Sequence, residues 1–191
     1  MKRNILIAVW MTLATTVLLG IVYPVVVTVL AQVLFPRQAN GELIQVDGRV
    51  MGSRLIGQPF TSPKYFHSRP STAGAAGYDA TASGPSNLGP TSKALADRIA
   101  ASVQTLQAEN PNAPVPIDLI TSSGSGLDPD ISPAAAEFQV HRVAVARSMD
   151  EQEVRSLVQK HTIRRDLGFL GEPRVSVLEL NLDLDAKHPV K

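Results

Sequence analysis

Residues 4–36 form one continuous apolar run, NILIAVWMTLATTVLLGIVYPVVVTVLAQVLFP, which contains no charged side chain. A helix rises about 1.5 Å per residue, so roughly 20 apolar residues cross the ~30 Å hydrocarbon core of a bilayer. The run therefore predicts one transmembrane helix. The polar, mixed sequence that follows has about 150 residues, which is the size of one compact domain.

The charges that flank the run predict its orientation. Lys2 and Arg3 precede it, and a single Arg37 follows it. Because positive charge favours the cytoplasmic side, we expect a cytoplasmic N-terminus and a domain on the other side of the membrane.

A cleaved signal peptide is the alternative to an anchor, since Val29-Leu30-Ala31 offers a tolerable cleavage site. The apolar stretch is, however, far longer than the about 7–15 residues of a signal core. We therefore predict a short cytoplasmic N-terminus at residues 1–3, an uncleaved transmembrane helix at 4–36 and an extracytoplasmic domain at 37–191.

Small residues recur every fourth position in the run, at Ala8, Thr12, Thr16, Gly20, Pro24 and Thr28. Small side chains let another helix approach closely, which is how helices pack in lipid. Pro24 also removes one backbone hydrogen bond and is expected to kink the helix. The spacing predicts a helix-packing face.

The domain reads as mixed α and β. Residues 43–46 and 49–51 flank Asp47-Gly48, a hairpin signal. Residues 56–92 are rich in Gly, Pro, Ser and Thr, but their aromatic side chains predict an ordered, packed loop rather than a linker.

Helix signals begin at Thr91 or Ser92 and stop at Pro111, and they recur at Ser132-Pro133 and at Asp150. Strands are predicted at residues 115–120 and, from the alternation of apolar side chains, at 175–184. A tight apolar turn is predicted at residues 167–171.

Composition narrows the possible functions. With 18 basic and 17 acidic residues the net charge is +1, which gives no electrostatic footprint for nucleic acid. The chain has no cysteine, so disulfides, thiolate metal sites and cysteine nucleophiles are excluded.

Catalytic motifs are also missing from the sequence. It has no phosphate loop, no GxGxxG, no HExxH and no GxSxG, and its four histidines lack ligand spacing. Asp128 and Asp130 are close enough for paired carboxylates, although their positions suit a turn and a helix start better. Ser123 and Ser125, with two glycines, could cradle an anion through backbone amides.

Arg69, Arg142 and Arg147 are interpreted as structural ion-pair partners. Two function classes remain: a non-enzymatic subunit of a membrane complex, or a solitary membrane-anchored periplasmic enzyme or sensor domain. The small-residue face favours the first class, and the missing catalytic constellation disfavours the second.

Several long motifs occur in a fixed order: GSRLIGQPF at 52–60, YFHSRPS at 65–71, YDATASGPSNLGPTS at 78–92, PIDLITSSGSGLDPDIS at 116–132, QVHRVAVAR at 139–147 and LGFLGEPRVSVLELN at 167–181. With Tyr23-Pro24 in the anchor, they resemble the KdpC family, the C subunits of the bacterial Kdp potassium-transporting ATPase. Pro85, Asp130 and Ser176 depart from the usual family residues, and Pro85 is expected to stiffen its loop.

The resemblance implies a non-catalytic accessory subunit in a bacterial inner membrane, needed for assembly of an ATP-driven potassium uptake complex. The implied partners are a catalytic P-type ATPase subunit, a potassium-channel-like subunit, a possible small additional membrane subunit and the lipid bilayer. ATP is associated with the complex, and no cofactor is expected to bind this chain directly.

The resemblance also implies a catalytic chaperone that raises the ATP affinity of the catalytic subunit, with Gln139 as the nucleotide-related residue. A domain outside the membrane cannot touch cytoplasmic ATP, so we expect an allosteric effect. We further expect residues 60–92 to cover the outer mouth of the potassium pathway. The predicted family-motif surface comprises Gln58, Phe60, Tyr65, Phe66, Arg69, Asn87, Ser123, Ser125, Asp128 and Arg142.

Overall fold

A computed structural model describes residues 1–189, and the chain divides into two compact units, residues 1–51 and the residues from 52 onward. The first unit carries one long apolar helix. The second is a small mixed region of helices and short strands. These two parts confirm the predicted combination of an apolar N-terminal helix with a mixed α/β region.

The apolar helix extends over Lys2–Leu34, which is long enough to cross a membrane. It consists of α1 (Lys2–Val17), a π-helical turn (Leu18–Val22) and α2 (Tyr23–Leu34). Pro24 lies in the first turn of α2. Because proline has no N–H and its ring crowds the carbonyl four residues earlier, a widened turn immediately before it is the expected accommodation.

A short helix α3 (Pro36–Ala39) and a hairpin follow the long helix in the sequence. Strands β1 (Leu43–Val46) and β2 (Arg49–Ser53) pair with each other. At the turn, Asp47 has φ 51° and Gly48 has φ 75°, the left-handed values that a tight two-residue hairpin turn requires. The predicted hairpin is confirmed.

Within its described residues, 52–189, the second unit contains four α-helices and a three-stranded antiparallel sheet. The helices are α4 (Lys93–Glu109), α5 (Pro133–Arg147), α6 (Glu151–Lys160) and α7 (Val177–Lys187). The strands are β3 (Asp130–Ile131), β4 (Thr162–Ile163) and β5 (Arg174–Ser176), in the order β3–β5–β4. Their register pairs Asp130 with Ser176 and Thr162 with Val175.

The core lies where α5, α6, α7 and β5 meet. Its fully buried side chains include Val140, Val154, Val175 and Leu180. Ser132 caps the N-terminus of α5, because its hydroxyl accepts a hydrogen bond from Ala135 N at 3.0 Å. The helices predicted after Ser92, Ser132 and Asp150 are all confirmed.

The predicted strand at 175–184 is wrong beyond its first residues. Strand β5 ends at Ser176, and α7 continues from Val177. The buried positions Val177, Leu180 and Leu184 follow helical spacing of three and four residues. The break in alternation therefore marks a change from strand to helix.

The strand predicted at 115–120 is also wrong: the described residues there form a 3₁₀ turn at Ile117–Leu119. Pro114 and Pro116 flank Val115 and cannot donate to a strand ladder, which explains the difference. The loop at 56–92 is packed as predicted only in its first part, where Phe66 and Ala73 are completely buried. From residue 79 onward it is largely exposed.

Candidate functional site

The small-residue face lies on the long helix, whose side chains are all exposed or half-buried in the isolated chain. A straight α-helix turns by about 100° per residue, so residues 8 and 28 would differ by about 200° and face opposite sides. The π-helical turn at Leu18–Val22 contains one extra residue, which reduces the difference to about 100°. The turn therefore keeps the six small residues closer to one face, although their packing partner stays a prediction.

Gln139 lies on α5 and is only 2% exposed. Its Oε1 accepts hydrogen bonds from His67 N at 2.8 Å and from Arg142 Nη2 at 2.6 Å. Its Nε2 donates to His67 O at 3.1 Å and to Ala135 O at 3.2 Å. A glutamine amide has two donors and two acceptor positions, so this side chain is saturated by its own chain.

Asn181 on α7 makes the equivalent pair with the neighbouring residue. Phe66 N donates to Asn181 Oδ1 at 2.8 Å, and Asn181 Nδ2 donates to Phe66 O at 2.9 Å. Two buried amides from two helices therefore satisfy the main chain of consecutive residues, Phe66 and His67, as neighbouring strands would in a sheet. The sequence reasoning missed Asn181; a polar residue on the buried, helix-spaced face of α7 was the available signal.

Arg142 binds the main chain just before Phe66 and His67. Its Nη1 donates to Pro63 O at 2.6 Å and to Tyr65 O at 2.9 Å, while its Nε pairs with Glu109 at 2.5 Å. Burial and the nearby Arg142 charge both lower the pKa of His67, which favours its neutral form.

Arg147 also binds the main chain of this segment, at Lys64. Its Nε donates to Lys64 O at 2.6 Å, its Nη2 pairs with Asp185 at 2.8 Å, and its guanidinium lies 4.8 Å from the centre of the Tyr65 ring. The Tyr65 hydroxyl donates to Asp185 Oδ2 at 2.9 Å. Burial, followed by the hydrogen bond to Asp185, raises the pKa of Tyr65. The predicted ion-pair role of Arg142 and Arg147 is confirmed.

Arg69 also forms an ion pair, with Asp128 at 3.0 Å. Asp128 Oδ1 accepts from Asp130 N at 3.1 Å, and Asp130 pairs with Arg174 at 3.0 Å. Burial raises the pKa of Asp130, and the Arg174 charge opposes the rise. The two carboxylates are thus committed to a turn and to separate arginines, so their arrangement is structural rather than that of an acid–base pair.

The serine-rich turn closes on itself. Gly126 N donates to Ser123 Oγ at 2.9 Å, and Leu127 N donates to Ser125 Oγ at 3.1 Å. These are amide groups that an anion cradle would use, and they already have partners. In this structure the serines stabilise the turn.

The predicted family-motif surface is only partly at the surface. Phe66 is completely buried, so its assignment to a surface is wrong: its ring belongs to the core. Gln58, Phe60 and Tyr65 are half-buried, whereas Asn87 is exposed. The loop at 56–92 therefore has a packed first part and, from residue 79 onward, a largely exposed second part.

The histidines make local contacts. Three of them face carboxylates: His141 faces Glu151 at 2.7 Å, His161 faces Asp183 at 2.9 Å, and His188 faces Glu153 at 3.0 Å. Within residues 1–189, no group of three or more His, Asp or Glu side chains is arranged to hold a metal ion.

Comparison with known proteins gives a consistent result over the whole chain. A family model described as "KdpC: K+-transporting ATPase, c chain" matches residues 5–186. A potassium-transporting ATPase KdpC subunit from Koribacter versatilis is 58% identical, covering 100% of this chain and 98% of the relative. A second KdpC subunit, from Rhodopseudomonas palustris, is 55% identical over 97% of this chain and 99% of the relative. The chain therefore belongs to the KdpC family, the c chains of the K+-transporting ATPase.

Proposed function

We propose that this chain is the accessory C subunit of a Kdp potassium-transporting ATPase. The observation that carries the proposal is a family match over nearly the whole chain, including the apolar helix. Its partners would be the P-type catalytic subunit and the channel-like subunit, with a possible small further membrane subunit. The chain's role is in assembly and stability of the complex, and it performs no catalysis of its own.

The chain is anchored by one pass through the bacterial inner membrane, with residues 1–3 cytoplasmic, 4–36 in the membrane and 37–191 outside the cytoplasm. Lys2 and Arg3 before the helix support this orientation. In that arrangement the domain and cytoplasmic ATP are on opposite sides of the bilayer.

Any effect on ATP affinity is then allosteric, through tighter binding of the subunit to one conformation of the pump than to another. The saturated hydrogen bonds of Gln139 support an indirect role for this residue, since no donor or acceptor is left for a nucleotide. Gln139 would act by holding the segment around His67 in place.

The second part of the 60–92 loop is the proposed contact with the outer mouth of the potassium pathway. Residues 79–91 are mostly exposed, and they include Asn87 and the partly exposed Leu88. The first part is fixed by Gln139, Asn181 and Arg142, which gives the exposed part a rigid base.

A single introduced thiol tests the orientation and the contact together, because the native chain has no cysteine. The Leu88→Cys variant should react with a membrane-impermeant maleimide added outside intact spheroplasts. In the assembled complex it should crosslink to external loops of a partner. Labelling only after the membrane is broken, or a crosslink to cytoplasmic loops, contradicts the proposal.

Enlarging the helix-packing face tests the anchor as a docking surface. The double substitution Thr16→Leu and Gly20→Leu should release the subunit from the detergent-purified complex, because bulky side chains prevent close helix approach. Ala14→Leu is the matched control: it makes the same kind of change about 200° around the helix from Thr12 and Thr16. Full retention of the double variant contradicts the helix-packing prediction.

A further inference from the structure

The connection between β4 and β5 carries an exposed apolar tip, defined here as Leu167, Phe169 and Leu170. Their exposed fractions are 83%, 69% and 49%. Single exposed apolar residues are common on protein surfaces, but three large ones within four positions are not. The tip is therefore a candidate contact surface.

The tip is a defined turn. Asp166 and Leu170 bridge each other as antiparallel partners, with Asp166 N donating to Leu170 O and Leu170 N to Asp166 O, both at 2.9 Å. Gly168 N donates to Arg165 O at 3.1 Å. These main-chain bonds define the backbone of the turn that carries the three apolar side chains.

Leu167 has an unfavourable backbone conformation as well as an exposed side chain. Its φ is 53° and that of Gly168 is 83°, so both central positions of the turn are left-handed. Asn and Gly are the residues that prefer such positions, and leucine is disfavoured there. The isolated chain thus carries two unfavourable features at one residue, and a contact that buries the Leu167 side chain would offset both.

The charge of the loop around the tip distinguishes a protein partner from anionic lipid. The loop that carries the tip contains two basic residues, Arg164 and Arg165, and two acidic residues, Asp166 and Glu172. Its positive and negative charges therefore balance. Arg165 is paired with Glu172 at 2.6 Å. A balanced loop has no net attraction to anionic lipid headgroups, whereas surfaces that bind them are usually rich in basic residues.

We propose that the apolar tip inserts into an apolar pocket of a partner subunit in the transport complex. A preformed turn that presents Leu and Phe side chains fits a protein pocket, because its backbone has little freedom left to lose on binding. The proposal rests on the proposed function, since it assumes that the chain assembles with other subunits.

The substitution Leu167→Asn tests the proposal through two opposite effects. In the full chain purified alone in detergent, asparagine relieves the left-handed strain, so the midpoint of thermal unfolding should rise by about 2–4 °C. In cells that produce all subunits, the amount of the variant that co-purifies with the partners should fall about tenfold or more. Val145→Gln is the matched control: Val145 is also exposed, on α5, and both readouts should stay at wild-type values.

A photocrosslinking amino acid, p-benzoylphenylalanine in place of Phe169, identifies the occupant in native membranes. Adducts with a partner subunit support the proposal, and adducts with phospholipid alone overturn it. Wild-type co-purification of Leu167→Asn also overturns it, provided that the unsubstituted chain co-purifies. If the unsubstituted chain itself fails to co-purify, the proposed function fails with it.

Discussion

Removing the Gln139 amide tests whether this residue holds the chain together or serves a nucleotide. The substitution Gln139→Leu keeps a side chain of similar volume inside α5 but removes both hydrogen bonds to His67. The part-buried main-chain N–H and C=O of His67 then have no partner from α5. Arg142 Nη2 loses its acceptor as well.

The expected cost follows from these orphaned groups. A buried polar group without a partner costs about 1–3 kcal/mol, so the two part-buried His67 groups together cost at most about 6 kcal/mol. Burial of the apolar leucine side chain offsets about 1–2 kcal/mol of this loss. We expect the free energy of unfolding to fall by about 3 kcal/mol, which lowers the thermal midpoint of a domain of this size by about 6–12 °C.

Far-UV circular dichroism of the full chain in detergent is the suitable assay. The only tryptophan, Trp10, lies in the apolar helix and does not report on the domain. The control is Gln159→Leu, the same chemical change at an exposed position of α6, for which we expect a change within about 0.5 kcal/mol.

A nucleotide-binding role predicts the reverse pattern for Gln139→Leu: unchanged thermal unfolding together with weakened ATP affinity of the assembled complex. That result would refute the structural reasoning. Gln139→Glu offers a second check, because a carboxylate still accepts from His67 N but cannot donate to His67 O, and we expect an intermediate loss of stability.

Two further predictions concern the same domain. Gly126→Ala should lower the free energy of unfolding by about 2–4 kcal/mol, measured by denaturant titration, because Gly126 has φ +69° and an added Cβ would lie 2.8 Å from Ala73 N. The control is Gly124→Ala, whose added Cβ meets nothing within 4 Å and which should have little effect. Equal losses of stability in the two variants would contradict this explanation. The hydrogen bond from Lys160 is the largest cause of the lowered pKa of Asp183, so the stabilisation by its carboxylate is present above the usual pKa of 3.8 and is lost as the pH falls through the lowered value. Wild type should therefore be more stable than Asp183→Asn at pH 6, and the difference should shrink below pH 3.8; a difference that is independent of pH would count against the linkage.

Local signals in the sequence predicted much of the secondary structure. The hairpin turn at Asp47-Gly48 and the helix start at Ser132 each depend on a few adjacent residues, and both were confirmed. The strand predicted at 175–184 failed because Leu178, Leu180, Leu182 and Leu184 alternate as in a strand, while the same stretch also contains apolar residues at the helical spacing of Val177, Leu180 and Leu184. Only the packing of α7 against the core distinguishes the two.

The candidate site was harder to predict, because its contacts join residues that are far apart in the sequence. Gln139 is 72 positions from His67, and Asn181 is 115 positions from Phe66. Sequence motifs marked these residues as family features but gave no indication that the two amides perform the same task. The tight turn at 167–171 was predicted, but the exposure of its apolar side chains was not.

The sequence by itself determined the apolar helix and the family, because a long uncharged run and a set of ordered motifs are properties of the chain alone. Tertiary structure decided which polar side chains are buried and which apolar ones are exposed. Burial depends on the surfaces that distant segments cover, and that is why Gln139, expected at a nucleotide-related site, lies inside the domain with all of its hydrogen bonds occupied.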